Sequence, residues 1–129
     1  MSLREHAMQE FQQKMSSNEN IQGMISAYYE MQSGISGYGS STPMRGILAY
    51  TKRQLLFYSE IFGELPISLQ IPYHKIHKIK EKKQPFAFFK TIPSIVVSHQ
   101  DQDVFSTRGN EEEFIHLKDF FEKVKALSN

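Results

Sequence analysis

The strongest constraint on the fold is a long stretch of two-residue apolar periodicity enclosed between two helical patterns. Between about residues 21 and 107, apolar and polar side chains alternate in short segments, which is typical of half-buried β-strands. The clearest segment alternates Leu65, Ile67, Leu69 and Ile71 with Pro66, Ser68, Gln70 and Pro72. Its two prolines cannot donate ladder hydrogen bonds, so we expect this strand either to lie at a sheet edge or to start and end abruptly.

The turn signals divide this stretch into seven strands. The predicted order is a strand from Ile21, a Gly- and Ser-rich loop at 33–43, a hairpin over Gly46–Glu60 that turns at 52–53, the strand 65–72, a strand from Ile76 to Lys83, and strands at 94–98 and 104–107. Seven consecutive strands cannot all hide one face in a single flat sheet. We therefore expect a mainly β protein with a bent barrel or sandwich.

Both ends of the chain carry helical patterns. Ser2 and Glu5 fit a capping box ahead of a helix over residues 2–16. Asn110 is a good N-cap for a second helix that ends near residue 127. The apolar face predicted for the second helix comprises Phe114, Leu117, Phe120, Phe121, Val124 and Leu127. Because this face is broad, we expect the C-terminal helix to cap the open end of the barrel.

Three short motifs resemble the bacterial pleckstrin-homology-like (PH-like) and GRAM-like families. They are Gly46-Ile-Leu48-Ala-Tyr-Thr51 followed by Leu55-Leu56-Phe57, then Ile71-Pro72-Tyr-His-Lys-Ile76, and Glu19-Asn20-Ile21. The resemblance implies a bent seven-stranded barrel with a C-terminal capping helix over residues 19–129. Residues 1–18 then form an additional N-terminal amphipathic helix. The resemblance also implies a binding or scaffolding module, but it does not bring phosphoinositide binding with it, because residues 32–44 contain no Lys or Arg.

Charge is concentrated in one segment. Residues 74–90 hold six lysines and one glutamate, a net charge of +5, although the whole chain carries only +1. The candidate residues for binding an anionic surface are Lys78, Lys80, Lys82, Lys83 and Lys90. On a regular strand, Lys78, Lys80 and Lys82 share one face. The alternative is a solvated face that keeps a sheet edge from pairing with other chains.

The N-terminal helix supplies a second candidate surface. Its apolar stripe consists of Leu3, Met8, Phe11 and Met15. The stripe either packs on the chain's own barrel or forms an association face for a second copy or another protein. We expect association with a protein partner or with itself as the main function, and binding of an anionic membrane surface through Lys75–Lys90 as the alternative.

Several other functions are not expected. No nucleophile elbow, paired-carboxylate motif or phosphate-binding glycine loop is present, so we expect no enzymatic activity and no cofactor. His74 and His77 are interpreted as surface histidines on opposite faces of a strand, and no metal site is expected. Single-stranded nucleic acid, stacking on Phe86, Phe88 and Phe89, is a weaker third alternative. Zero Cys and no apolar stretch of signal or membrane-span length predict a cytoplasmic protein.

Overall fold

The computed structural model describes residues 2–32, 43–86 and 90–129, and for residues 31, 32 and 86 it describes the backbone alone. Apart from Pro43, the predicted loop 33–43 lies outside the described residues, as do the aromatic side chains of 86–89. The elements are α1 Leu3–Lys14, β1 Gly23–Gln32, β2 Met44–Tyr50, β3 Gln54–Ile61, β4 Leu65–Pro72, a 3₁₀ turn Tyr73–Lys75, β5 Lys78–Phe86, β6 Lys90–Ser98, β7 Gln102–Ser106 and α2 Glu111–Ser128.

The seven strands form one curled antiparallel sheet in the order β4-β3-β2-β1-β7-β6-β5. β1 belongs to both halves of this sheet: Gly23 to Tyr29 pair with β2, and Tyr28 to Gln32 pair with β7. The sheet bends around β1 into a half-barrel, so the predicted fold class is confirmed. β4 and β5 are the two edge strands, and the edge position of the proline-containing β4 is therefore also confirmed.

α2 closes the inner face of the curled sheet. Its N-cap forms as predicted: the side-chain oxygen Oδ1 of Asn110 accepts from the backbone N–H of Glu113 at 3.0 Å. The buried residues of α2 are Phe114, Leu117, Phe120, Phe121 and Val124. Phe121 packs against Phe105 of β7 with ring centroids 5.7 Å apart. Leu127 was wrongly predicted in this face: it is 39% exposed and lines a surface cleft instead of the core.

α1 covers the outer face of β2 and β3. The buried residues of this outer cluster are Ala7, Phe11, Ile47, Ala49, Leu56 and Tyr58. The predicted capping box is present, since the Ser2 hydroxyl accepts from the Glu5 N–H at 3.1 Å and the Glu5 carboxylate accepts from the Ser2 N–H at 3.3 Å. β2 and β3 are therefore covered on both faces, by α2 inside and by α1 outside. Neither helix of the described residues has the length and apolar content needed to cross a bilayer.

Candidate functional site

β5 presents a row of lysines on the outer face of an edge strand. Ile79 packs against the inner core, which fixes the facing of the whole strand. Because side chains alternate along a strand, Lys78, Lys80 and Lys82 lie on the opposite, outer face, and all three are exposed. We call these three residues the lysine face. Their register partners on β6 are Ser98, Val96 and Ser94.

The structure separates the other two candidate lysines from the lysine face. Lys83 follows Ile79 and Glu81 in the alternation and so lies on the inner side of β5. Lys90 lies at the far end of the β5–β6 hairpin, where its register partner is Phe86. Both are exposed, but they do not extend the row formed by Lys78, Lys80 and Lys82.

No acidic side chain forms an ion pair with the lysine face within the described ranges, and Glu30 accepts a hydrogen bond from Gln84, two residues beyond Lys82 on the same side of β5. None of the ion pairs found among residues 2–32, 43–86 and 90–129 involves Lys78, Lys80 or Lys82. Glu81, the acid within the strand, lies on the inner side and pairs with Lys118 of α2 at 3.7 Å. The outer side of β5 is therefore a strip of exposed positive charge.

The candidate association face is used within the chain. Phe11 is fully buried against β2 and β3, and Leu3 and Met15 pack beside it on the outer cluster. Met8 is partly buried. Of the two alternatives for this stripe, the structure shows the intramolecular one. Association through these residues stays a prediction.

His74 and His77 line one cleft, and the prediction that they lie on opposite faces of a strand is wrong. His74 belongs to the 3₁₀ turn and His77 precedes β5, so strand alternation does not apply to them. His99, from the turn between β6 and β7, lines the same cleft. Among the residues described, no group of three His, Asp or Glu side chains is placed to hold a metal ion.

His99 is held by a buried polar chain that sequence reasoning missed. Its Nε2 lies 2.6 Å from a carboxylate oxygen of Asp103, and the other oxygen of Asp103 accepts from the Tyr29 hydroxyl at 2.7 Å. Asp103 and Tyr29 are each 1% exposed. Burial, and then the bond to Asp103, raise the pKa of Tyr29, so its phenol stays neutral and donates. The sequence analysis placed Asp103 in the turn before a strand at 104–107, whereas the structure places it within β7, on the inner side.

Residues 5–126 match the GRAM domain family, and the chain therefore belongs to that family. The match includes most of α1 as well as the sheet and α2. Members of this family and of the related PH-like domains typically bind lipids or proteins.

Two solved structures share the fold. The C-terminal domain of an unknown protein from Leishmania infantum superimposes with a TM-score of 0.63 at 15% identity, covering 98% of both chains. The hSac2 domain from human phosphoinositide phosphatase Sac2 gives a TM-score of 0.66 at 12% identity, covering 98% of this chain and 83% of that one. At such identities the likeness concerns the fold alone. No curated protein matches the chain in sequence.

Proposed function

We propose that this GRAM domain is a non-enzymatic module that binds anionic membrane surfaces from the cytoplasm through its lysine face. The observation that carries the proposal is the row of Lys78, Lys80 and Lys82, exposed on one side of an edge strand with no acidic partner among the described residues. The strand holds the three ammonium groups at a regular spacing. A flat bilayer surface can therefore contact all three together.

The physical magnitudes predict weak, reversible and salt-dependent binding. A lysine close to an anionic bilayer contributes about 1 kcal/mol, so three contribute about 3 kcal/mol, or about two orders of magnitude in the partition coefficient. Salt screens this attraction, because the Debye length is about 8 Å at physiological ionic strength. We expect binding to be strongest in dilute buffer.

Co-sedimentation with phosphatidylserine vesicles, in dilute buffer and at physiological salt, tests the proposal. The test variant combines Lys78→Gln, Lys80→Gln and Lys82→Gln. The matched control combines Lys52→Gln, on the β2–β3 turn, with Lys123→Gln and Lys125→Gln on α2, which removes the same total charge from other surfaces and leaves the Lys118–Glu81 pair intact. We expect the β5 variant to lose binding by about two orders of magnitude and the control variant to bind nearly as the wild type does.

Equal losses in the two triple variants would show that net charge, and not the lysine face, drives binding. Absence of wild-type binding even in dilute buffer would reject the membrane function. Association with a protein partner or a second copy would then replace it, and Phe62 favours this second candidate because it lies 95% exposed at the tip of the β3–β4 hairpin. A native mass measurement on wild type and Phe62→Ser would test that association. Binding of oligonucleotides in place of vesicles would instead support the nucleic-acid alternative.

A further inference from the structure

The turn between β3 and β4 holds an aromatic residue in a costly backbone conformation. Phe62 has a φ of 53° and Gly63 a φ of 71°, and the N–H of Glu64 donates to the carbonyl oxygen of Ile61 at 3.0 Å. Two consecutive positive φ values are typical of a type I′ turn, whose first central position favours Asn, Asp or Gly. The Phe62 side chain is 95% exposed, so it gains no packing in its own chain. A strained residue that covers nothing in its own chain points to a contact with another molecule.

The same turn carries a second exposed apolar side chain and an acid. Leu65, the first residue of β4, is 62% exposed. Glu64 is exposed and forms no ion pair within the described ranges. We call Phe62, Glu64 and Leu65 the apolar tip. Because a carboxylate is repelled by an anionic bilayer, the apolar tip is suited to a protein surface with an apolar centre and cationic groups beside it.

A surface of this kind lies on the same chain, at the opposite end of β3 and β4. A cleft of about 650 Å³ is bordered by the end of α1, the β2–β3 turn, the end of β4 and the last turn of α2. Its apolar lining includes Met15, Pro72 and Leu127, of which Leu127 is the exposed residue that α2 leaves outside the core. We call it the end cleft. Since a cavity of about 150 Å³ holds a benzene ring, the end cleft has room for the Phe62 ring and a neighbouring side chain.

The permanent charges of the end cleft complement the acid of the apolar tip. Lys52 and Arg53 line the cleft from the β2–β3 turn, are exposed, and form no ion pair among the residues described. Lys14 also lines it but pairs with Glu10 at 3.4 Å. The acid in the wall is Glu19, whose carboxylate already accepts from a threonine hydroxyl at 2.7 Å and a glutamine amide at 2.9 Å. The cleft therefore keeps an excess of positive charge for an incoming carboxylate.

The apolar tip cannot reach the end cleft of its own chain. Gln54, which lines the cleft, and Ile61, which precedes the tip, are the two ends of β3, and eight strand residues span about 25 Å. A contact between the two surfaces therefore joins two copies of the chain. Because the two surfaces differ, the contact is heterologous, and each added copy offers a further free tip or cleft. Such a contact builds a ring or an open chain of copies.

We propose that this GRAM domain associates head to tail, with the apolar tip of one copy seated in the end cleft of the next. The ring of Phe62 packs on Leu127, and the carboxylate of Glu64 pairs with Arg53. The contact covers three of the four large apolar side chains that are exposed in the described part of the chain, and leaves Ile115 of α2 as the fourth. An interface this small gives a weak contact, with a dissociation constant of the order of 100 µM. The proposal does not rest on the membrane function.

Sedimentation of the full chain, at concentrations on both sides of this dissociation constant, measures the association. Phe62→Asn is the test variant, because Asn suits the positive φ of the turn while the ring is removed. We expect it to weaken association about tenfold or more, as for the loss of one buried aromatic side chain, and to melt no earlier than the wild type. Ile115→Ser is the matched control and should associate as the wild type does. A wild-type chain that sediments as a monomer at every concentration, or an equal loss in both variants, would overturn the proposal.

A mixing experiment tests the head-to-tail arrangement. The cleft variant combines Arg53→Gln with Leu127→Ser and keeps an intact tip, whereas Phe62→Asn keeps an intact cleft. We expect each variant alone to sediment as a monomer and their equimolar mixture to form dimers and nothing larger, because one tip and one cleft remain. A mixture that sediments no faster than its components would show that the tip does not bind the cleft, and would overturn the proposal.

The lysine-face variant separates this association from the membrane function. The chain with Lys78→Gln, Lys80→Gln and Lys82→Gln should associate as the wild type does, because these residues belong to neither the apolar tip nor the end cleft. An association lost together with the lysine face would contradict the contact proposed here. Vesicle binding that fails while this association persists would reject the membrane function alone.

Discussion

Gly46 lies where β2 and β3 approach each other too closely for a side chain. A Cβ added there would be 2.5 Å from the carbonyl oxygen of Tyr58 and 2.6 Å from Cε1 of Phe57. Leu48, two positions on, is fully buried in the inner core. Thr51 ends the motif in the turn, where its hydroxyl donates to Glu19 and accepts from the N–H groups of Arg53 and Gln54. The residues of the Gly46–Thr51 motif therefore have structural roles. The motif identifies the fold and gives no information about a ligand.

At this scale we predict that Gly46→Ala destabilises the protein by about 2–3 kcal/mol, because the added methyl group meets backbone that cannot move aside cheaply. Gly63→Asn is the matched control. Gly63 has a positive φ of 71° that Asn tolerates, and no atom lies within 4 Å of its added Cβ. Urea unfolding followed by circular dichroism measures the free energy of unfolding of each variant. If Gly46→Ala lowers this free energy no more than Gly63→Asn does, the close approach of β2 and β3 is contradicted.

The sequence analysis left open where α1 packs, although the strands that it covers carry a signal for its position. The strand segments 47–50 and 55–58 are continuously apolar, which is typical of strands buried on both faces. Leu48 and Phe57 face the inner core, while Ile47 and Leu56 require a second cover on the outside. Local periodicity thus predicted the helix and its stripe. Its docking site depends on contacts between residues more than thirty positions apart, which no local pattern encodes.

The attachment of α1 contains a titratable contact. The Tyr58 hydroxyl donates to Glu60 at 2.7 Å, and His6 of α1 lies 2.6 Å from the same oxygen. The bond from Tyr58 has the largest effect and lowers the pKa of Glu60. Burial opposes it to a smaller extent, and the bond to His6 and the charge of that ring add smaller effects that again lower the pKa, which therefore stays below its ordinary value. Burial and the bond to Glu60 raise the pKa of Tyr58 to about 12. The ionised Glu60 therefore links the helix to the sheet.

We predict that Glu60→Gln lowers the free energy of unfolding at neutral pH. The difference in unfolding free energy between this variant and the wild type should become smaller in acid. A carboxyl group with a lowered folded-state pKa stabilises the fold above its unfolded value of about 4.5, and this contribution is lost as the pH falls. Urea midpoints at about pH 7 and about pH 3.5 measure the difference. Glu64→Gln, on the adjoining turn, is the control. A difference that stays constant between the two pH values would show that Glu60 does not hold α1 through its charge.

Over the whole molecule, the lysine face and the buried chain of His99, Asp103 and Tyr29 differ in how far sequence could predict them. The lysine face follows from strand alternation alone, so the sequence was enough to place Lys78, Lys80 and Lys82 on one side of a strand. Because Ile79 packs against the inner core, strand alternation places Lys83 on the inner side of β5, away from these three lysines. The buried chain joins the turn after β6 to β1, and Asp103 lies inside the half-barrel. Such a chain depends on contacts between strands that are distant in the sequence and has no local signature.

The orientation of the chain on a vesicle tests the central claim most directly. Since the chain has no Cys, one introduced cysteine carries a single nitroxide label. Gln102→Cys places the label on the exposed outer side of β7, in register with Ser98 and Lys78, whereas Asp119→Cys places it on α2. On phosphatidylserine vesicles we predict that the label at position 102 becomes shielded from a water-soluble relaxation agent while the label at 119 stays accessible. Shielding at 119 alone, or equal accessibility at both positions, would contradict membrane binding through the lysine face.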